Sequence, residues 1–252
     1  TAASAVDLHP AGFQESVANG IWGDQQVGSG VPKGGMQNHA LLWSGTAASV
    51  VDLHPKGYDA SWADDCWGNW QVGKGIPARG YGNHALLWSG TTASIIDLHR
   101  LQWTASYAKG LWAGRQVGAC TNLIMEWRAV LWYGSAASYV DLTPPDCQFA
   151  YAVDCCADKQ VGYGYVSSKG AGDYHAFLWS GTKDSLVDLH KYLPAKFTGS
   201  WATGIDADGS IVGGARGKPG EVGQHAVIWM PLGAPVYRFW SPVLSRHFYT
   251  TS

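Results

Sequence analysis

The chain is poor in charge. Of its 252 residues only 14% are Asp, Glu, Lys or Arg, and the formal net charge is −2. A nucleic-acid surface needs clustered Lys and Arg, so no nucleic-acid partner is expected. Long apolar runs are also missing; none approaches the roughly 18 residues of a transmembrane helix. No stretch carries a helical period. There is no G-x-S-x-G elbow, no phosphate loop and no dinucleotide fingerprint. The five cysteines include no CxxC and no Cys/His ligand spacing, so neither a metal nor a cofactor is expected.

Repetition is what the chain has in place of these, with 33 Gly, 14 Trp and 12 Tyr. His-Ala-Leu-Leu-Trp-Ser-Gly stands at 39–45 and again at 84–90. It returns as RAVLWYG at 128–134, HAFLWSG at 175–181 and HAVIWM at 225–230. The first four lead into A-A-S-V-V-D-L-H-P or a variant, and the chain also opens on that phrase. Units defined this way begin at residues 1, 46, 91, 135 and 182. A unit of this length cannot bury its apolar face alone, so neighbours must stack.

Within the second unit, 61–66, 71–75 and 85–88, with 94–98 following, read as short strands between Gly-rich turns. Four antiparallel strands per unit predict an all-β fold, a five-bladed β-propeller over residues 1–232 with a separate tail at 233–252, the alternative being an open solenoid. The chain starts without a His-Ala-Leu-Leu-Trp strand and ends its repeats with a spare one, His225 to Trp229. That strand is expected to join the N-terminal blade and close the ring, leaving no open edge.

The phrases resemble the extracellular HAF repeat family, whose pattern runs H-A-F-L-W, then D-L, then S-x-A-x-x-I-N/D-x-x-G-x-V-V-G. The likeness extends over about residues 1–230 and is strongest at 175–179 and in the fifth unit. It implies a secreted bacterial protein, extracellular, periplasmic or on the cell surface, and supplies no catalytic residues. The tail, YRFW at 237–240 and HFYTT at 247–251, resembles the opening of a secreted surface repeat, Y-R-F-Y/W-N-P…H-F-Y-T-T. The alternative for the tail is a strand packed on the propeller.

Aligned units let each position be read five times. Ala18, Ala63, Ala108, Ala152 and Ala202 never vary, which predicts close packing opposite them. Ile21, Cys66, Leu111, Cys155 and Ile205 read as core, so Cys66 and Cys155 are small buried hydrophobes. The next position holds Trp22, Trp67, Trp112, Cys156 and Asp206, and nine residues earlier stand Phe13, Tyr58, Trp103, Cys147 and Phe197. Only the fourth unit has Cys in both, so a Cys147–Cys156 disulfide is expected, which suits an oxidising compartment. Asp7, Asp52, Asp97, Asp141 and Asp188 read as Asx-type turn fixers. Trp43, Trp88, Trp132, Trp179 and Trp229 read as core.

The candidate ligand-binding residues are Trp22, Trp67, Trp70 and Trp112 at hairpin turns, with Asn38–His39, Asn83–His84, His175 and His225. Aromatic faces near amides and imidazoles suit sugars. Repeated sites on one body would add avidity. The expected function is a secreted, non-enzymatic, lectin-like or adhesive module for glycans or cell-surface polysaccharide. The alternative is a scaffold subunit that meets a protein partner in an extracellular surface assembly. A glycoside hydrolase is a second, weaker alternative, because no carboxylate pair at the required separation stands out.

Overall fold

The computed structural model describes residues 4–168, 171–217, 223–231, 237–241 and 246–250. The fold is all-β and propeller-like, with five antiparallel sheets in succession. Sheet I holds β1 (Phe13–Trp22), β2 (Gln25–Pro32), β3 (His39–Trp43) and β4 (Val51–Asp52). Sheet II holds β5 (Tyr58–Trp67), β6 (Trp70–Pro77), β7 (His84–Trp88) and β8 (Ile96–Asp97). Sheet III holds β9 (Ala105–Trp112), β10 (Arg115–Thr121), β11 (Trp127–Trp132) and β12 (Val140–Asp141). Sheet IV holds β13 (Cys147–Cys156), β14 (Lys159–Ser168), β15 (Ala171–Trp179) and β16 (Val187–Asp188). Sheet V holds β17 (Phe197–Ile205), β18 (Ile211–Gly217) and β19 (Gln224–Trp229). The strands of each sheet lie side by side in chain order.

The sheets are out of phase with the written repeats. Each starts in the middle of one unit, and sheets I to IV take their last strand from the Asp-Leu phrase that opens the next. From sheet II onward, the first strand of each sheet packs against the sheet before it. Ser61 N–H donates to Asn38 O at 2.8 Å, and Ala40 N–H donates to Ser61 Oγ at 2.9 Å. Ser106 repeats both bonds with Asn83 and Ala85 at 2.7 and 2.9 Å.

The alanine column is the centre of that packing. Ala63, Ala108, Ala152 and Ala202 are fully or almost fully buried. Beside each, on the second strand, sits a glycine; a Cβ on Gly73 would stand 2.0 Å from Trp62 O and 2.9 Å from the Ala63 Cα. A strand bulge falls just after the alanine, re-aiming the chain beyond it. Trp43, Trp88, Trp132 and Trp179 are buried to within about one per cent and fill the sheets. The Asp column does fix turns: the Oδ1 of Asp52, Asp97 and Asp141 accepts from the N–H two residues on, at 2.9, 2.8 and 2.8 Å.

Two expectations are corrected. Among the described residues the ring closure through His225 to Trp229 is not formed: β19 pairs with β18 inside sheet V, and segment 4–10 carries no strand. After Trp229 the chain runs into Met230-Pro231 instead of an Asp-Leu phrase, and among the described residues sheet V has three strands. The Cys147–Cys156 disulfide is also absent, and both residues are free thiols. They sit at opposite ends of the same strand, β13. Nine residues of strand span ~30 Å, far beyond the ~7 Å that a disulfide bridges between Cα atoms. Cys66 and Cys155 are buried as expected, and burial pushes the Cys66 thiol up to about 12.

The tail forms a hairpin, β20 (Tyr237–Ser241) with β21 (Arg246–Thr250), Tyr237 facing Thr250.

Candidate functional site

The first strands of all five sheets converge on one cavity. Its 400 Å³ are lined by Asn19, Asp64, Lys109, Val153 and Thr203, the residues just after the five alanines, with Asp65 and Asp154. A second cavity of 730 Å³ shares Lys109, Val153 and Thr203 with it. Tyr151, Tyr163, Tyr174 and Trp201 form its aromatic wall, and Arg216 and Gln224 its polar rim.

The residues just before the alanines build the aromatic part. They are Val17, Trp62, Tyr107, Tyr151 and Trp201, aromatic in four sheets of five. All four rings are half-buried. They lie on the strand face opposite the alanines, because side chains alternate. The Lys74 ammonium lies over both Trp62 and Tyr107, at 5.3 and 5.7 Å from the ring centres. A ladder continues through Tyr107–Trp127, Trp127–Tyr151, Tyr151–Tyr163 and Tyr163–Tyr174, each pair 5.2–5.6 Å apart. Sequence reasoning read the invariant alanine and passed over this column beside it, although the same alignment carried the signal.

The acids of the axis are mostly committed to the backbone. Asp65 accepts from Cys66 N–H and, across the sheet junction, from Leu111 N–H, both at 2.8 Å. Asp154 likewise takes Cys155 N–H at 2.8 Å and Ile205 N–H at 2.9 Å. The position alternates Gly20, Asp65, Gly110, Asp154, Gly204, so an acid in one sheet stitches to the next. Burial raises Asp65 to about 6 against those bonds, and raises Asp154 too. Asp64 is paired with Lys109 at 3.2 Å and Lys74 at 3.9 Å. Burial lowers Lys74, with Asp64 opposing.

The sequence-predicted binding residues fall into two separate groups. Trp22, Trp67 and Trp112 stand at the hairpin ends of β1, β5 and β9. They stack on one another, with ring centres 5.6 and 5.7 Å apart. Trp67, Trp70 and Trp112 also pack on the core; Trp22, first in the row, is the most exposed. His39, His84 and His175 lie at the other end of their sheets, paired in register with Gly30, Gly75 and Gly164. Their Nδ1 atoms meet Asp52, Asp97 and Asp188 at 2.7, 2.7 and 3.0 Å. His39 stacks on His54 at 3.9 Å and His84 on His99 at 3.8 Å. Asn38 and Asn83 give their carbonyls to the serines of the next sheet. His225 is exposed and meets Phe197 edge-on at 5.1 Å. The structure therefore places His39, His84, His175, Asn38 and Asn83 in the joints between sheets, leaves His225 exposed, and does not bring any of them to the Trp row.

No family model matches the chain, and no curated protein matches it. Among solved structures it is similar to a puromycin hydrolase mutant complexed with PGG, at a TM-score of 0.52 and 14% identity. That match covers 97% of this chain and 43% of the hydrolase, so the chain spans less than half of that protein. It is also similar to an α-L-arabinofuranosidase from Lactobacillus brevis, at a TM-score of 0.36 and 9% identity, over 90% of this chain and 91% of the other. The first likeness shows the propeller-type fold and nothing about activity.

Proposed function

We propose that this chain is a secreted, non-enzymatic carbohydrate-binding module whose main site is the axial aromatic arc. The observation that carries the reading is one strand position, aromatic in four consecutive sheets, two of whose rings, Tyr151 and Trp201, line a cavity with Lys109, Arg216, Thr203 and Gln224 at the edge. Flat apolar faces stack on the C–H faces of sugars, and the polar rim serves hydroxyls. Asp65 and Asp154, which line the axial cavity, each accept two backbone N–H groups, an arrangement that suits a structural role better than glycoside hydrolysis.

Calorimetric titration with a panel of soluble oligosaccharides tests this. Binding by the parent, and a loss of about tenfold or more in Trp201→Ala and Tyr151→Ala but not in Trp22→Ala, is the expected result. Absence of binding, or release of reducing ends from the panel, contradicts it. A second reading, a subunit of an extracellular surface assembly, is favoured by the uncovered faces of sheets I and V. A mass that rises with concentration in light scattering would move the conclusion there.

A further inference from the structure

One joint departs from the repeat. At the I/II, II/III and IV/V joints a His of the third strand stacks on the His that follows the Asp-Leu phrase. At the III/IV joint both imidazoles are gone, with Arg128 and Thr143 in their places. The change is compensated. The serine that elsewhere meets the second His and the alanine N–H (Ser61, Ser106, Ser200) is Ala150 here. Thr143 Oγ1 accepts the Ala129 N–H itself, at 3.0 Å. Cys120 also stands where the other four-stranded sheets have Gly30, Gly75 and Gly164, and Trp103 stands where sheets I and II have Phe13 and Tyr58. In this place lies a cavity of 270 Å³ lined chiefly by Trp103, Tyr139, Cys120, Arg128, Asp141 and Asn122.

Two cations balance two carboxylates here: the Arg128 guanidinium is 3.1 Å from Glu126 and 3.5 Å from Asp141, and Arg100 supplies the second positive charge. The Arg100 guanidinium, 4.2 Å over Tyr139, braces that ring. The adjoining surface is apolar. Leu101, Leu123, Ile124 and Met125 are 102%, 86%, 72% and 62% exposed. Three of them form a tight turn held by Asn122 Oδ1, which accepts from Ile124 and Glu126 N–H at 3.1 and 3.2 Å. Met125 sits at φ 61°, a left-handed conformation that bulky residues avoid and that clusters at ligand sites.

We propose that this cavity is a second binding site, for a neutral amphiphile with a single-sugar head and an alkyl chain. The sugar ring lies against Trp103 and Tyr139, and Arg128, Asp141 and Asn122 meet its hydroxyls. The chain lies on Leu101, Leu123, Ile124 and Met125. Balanced charge selects an uncharged head. A volume just under the usual range for small-molecule pockets selects one ring over an oligosaccharide. Clustered exposed apolar side chains beside a polar pocket select a hydrophobic appendage.

The probe is n-octyl β-glucoside below its micellar concentration, titrated calorimetrically beside methyl β-glucoside. The expected result is one site per chain, with the methyl glycoside at least about tenfold weaker. The triple variant Arg128→His, Thr143→His, Ala150→Ser rebuilds the imidazole pair of the other joints and should lose octyl glucoside binding by about tenfold or more. It should leave oligosaccharide binding at the axis unchanged. The exposed double variant Leu123→Ser, Ile124→Ser, which touches no core residue, should remove the octyl advantage. No binding by the folded parent, equal binding of the two glycosides, or octyl binding that survives both variants overturns the proposal.

Discussion

Ile21 in sheet I and Cys66 in sheet II hold the same position in nearly identical repeats, yet Ile21 is 70% exposed and Cys66 3%. Ala18 is exposed where Ala63 is fully buried, and Val17 is 61% exposed. The two hairpins share one register: Phe13 faces Pro32 as Tyr58 faces Pro77, and the bulge follows the alanine in both. The difference lies outside the sheet. Sheet I covers β5, and among the described residues no preceding sheet covers β1. The burial of a first strand is thus supplied by its predecessor, and identical text yields core in one copy and surface in the other. His9 makes the same point. It meets Ser16 Oγ at 2.8 Å as His54 meets Ser61 Oγ at 2.9 Å. Yet His54 has His39 stacked on it, while the matching His225 is exposed.

Substitutions at matched positions break the comparison most strongly. Ala63→Leu forces side-chain volume into a closed joint and should cost about 3 kcal/mol, whereas Ala18→Leu should stay within about 0.5 kcal/mol. Urea unfolding of the two variants measures both.

A pH effect of similar size comes from the joints. Burial, with His84 beside it, pushes His99 down to about 4, and burial likewise lowers His54 and His190. These rings are neutral in the folded protein, while the unfolded chain takes up protons near pH 6.5. Their stabilisation is whole above about pH 6.5 and is lost as pH falls towards 4, about 3 kcal/mol at most for His99. Asp65, raised to about 6, acts in the opposite sense, since its protonation below that pH favours the folded state. Thermal melts from pH 7.5 to 4.5 should show a net fall in midpoint. The fall should shrink in His99→Asn.

A smaller contrast is expected for Cys66→Ser against Ile21→Ser. The first puts a hydroxyl in the buried thiol site and should cost about 1–2 kcal/mol, and the second about 0.5 kcal/mol or less.

Much of this architecture was legible because a position repeated five times reports its own environment. The alanines of sheets II to V, the Trp core and the turn-fixing aspartates are where their columns place them, while Ala18 and Ile21 of sheet I, read as packed, are exposed. Ring closure was not legible: pairing β19 needs an Asp-Leu strand beside it, and a pattern does not say whether segment 4–10 reaches that edge. The disulfide failed because matching columns place residues on equivalent strands without placing them near each other. The axial aromatic arc was written at positions 62, 107, 151 and 201, but its meaning depends on the five first strands meeting at one axis. The III/IV cavity was visible as lone departures at 120, 128 and 143, and only the joint geometry shows that they fall in one place.

The central claim, that each sheet buries the first strand of the next, is tested most directly by hydrogen–deuterium exchange of β1 against β5. The two strands have the same hydrogen-bond register, so a difference reports the covering sheet. Faster exchange at 17–21 than at 62–66, by about tenfold or more, is the predicted result. Equal protection of the two strands would contradict it and mean that another surface covers β1.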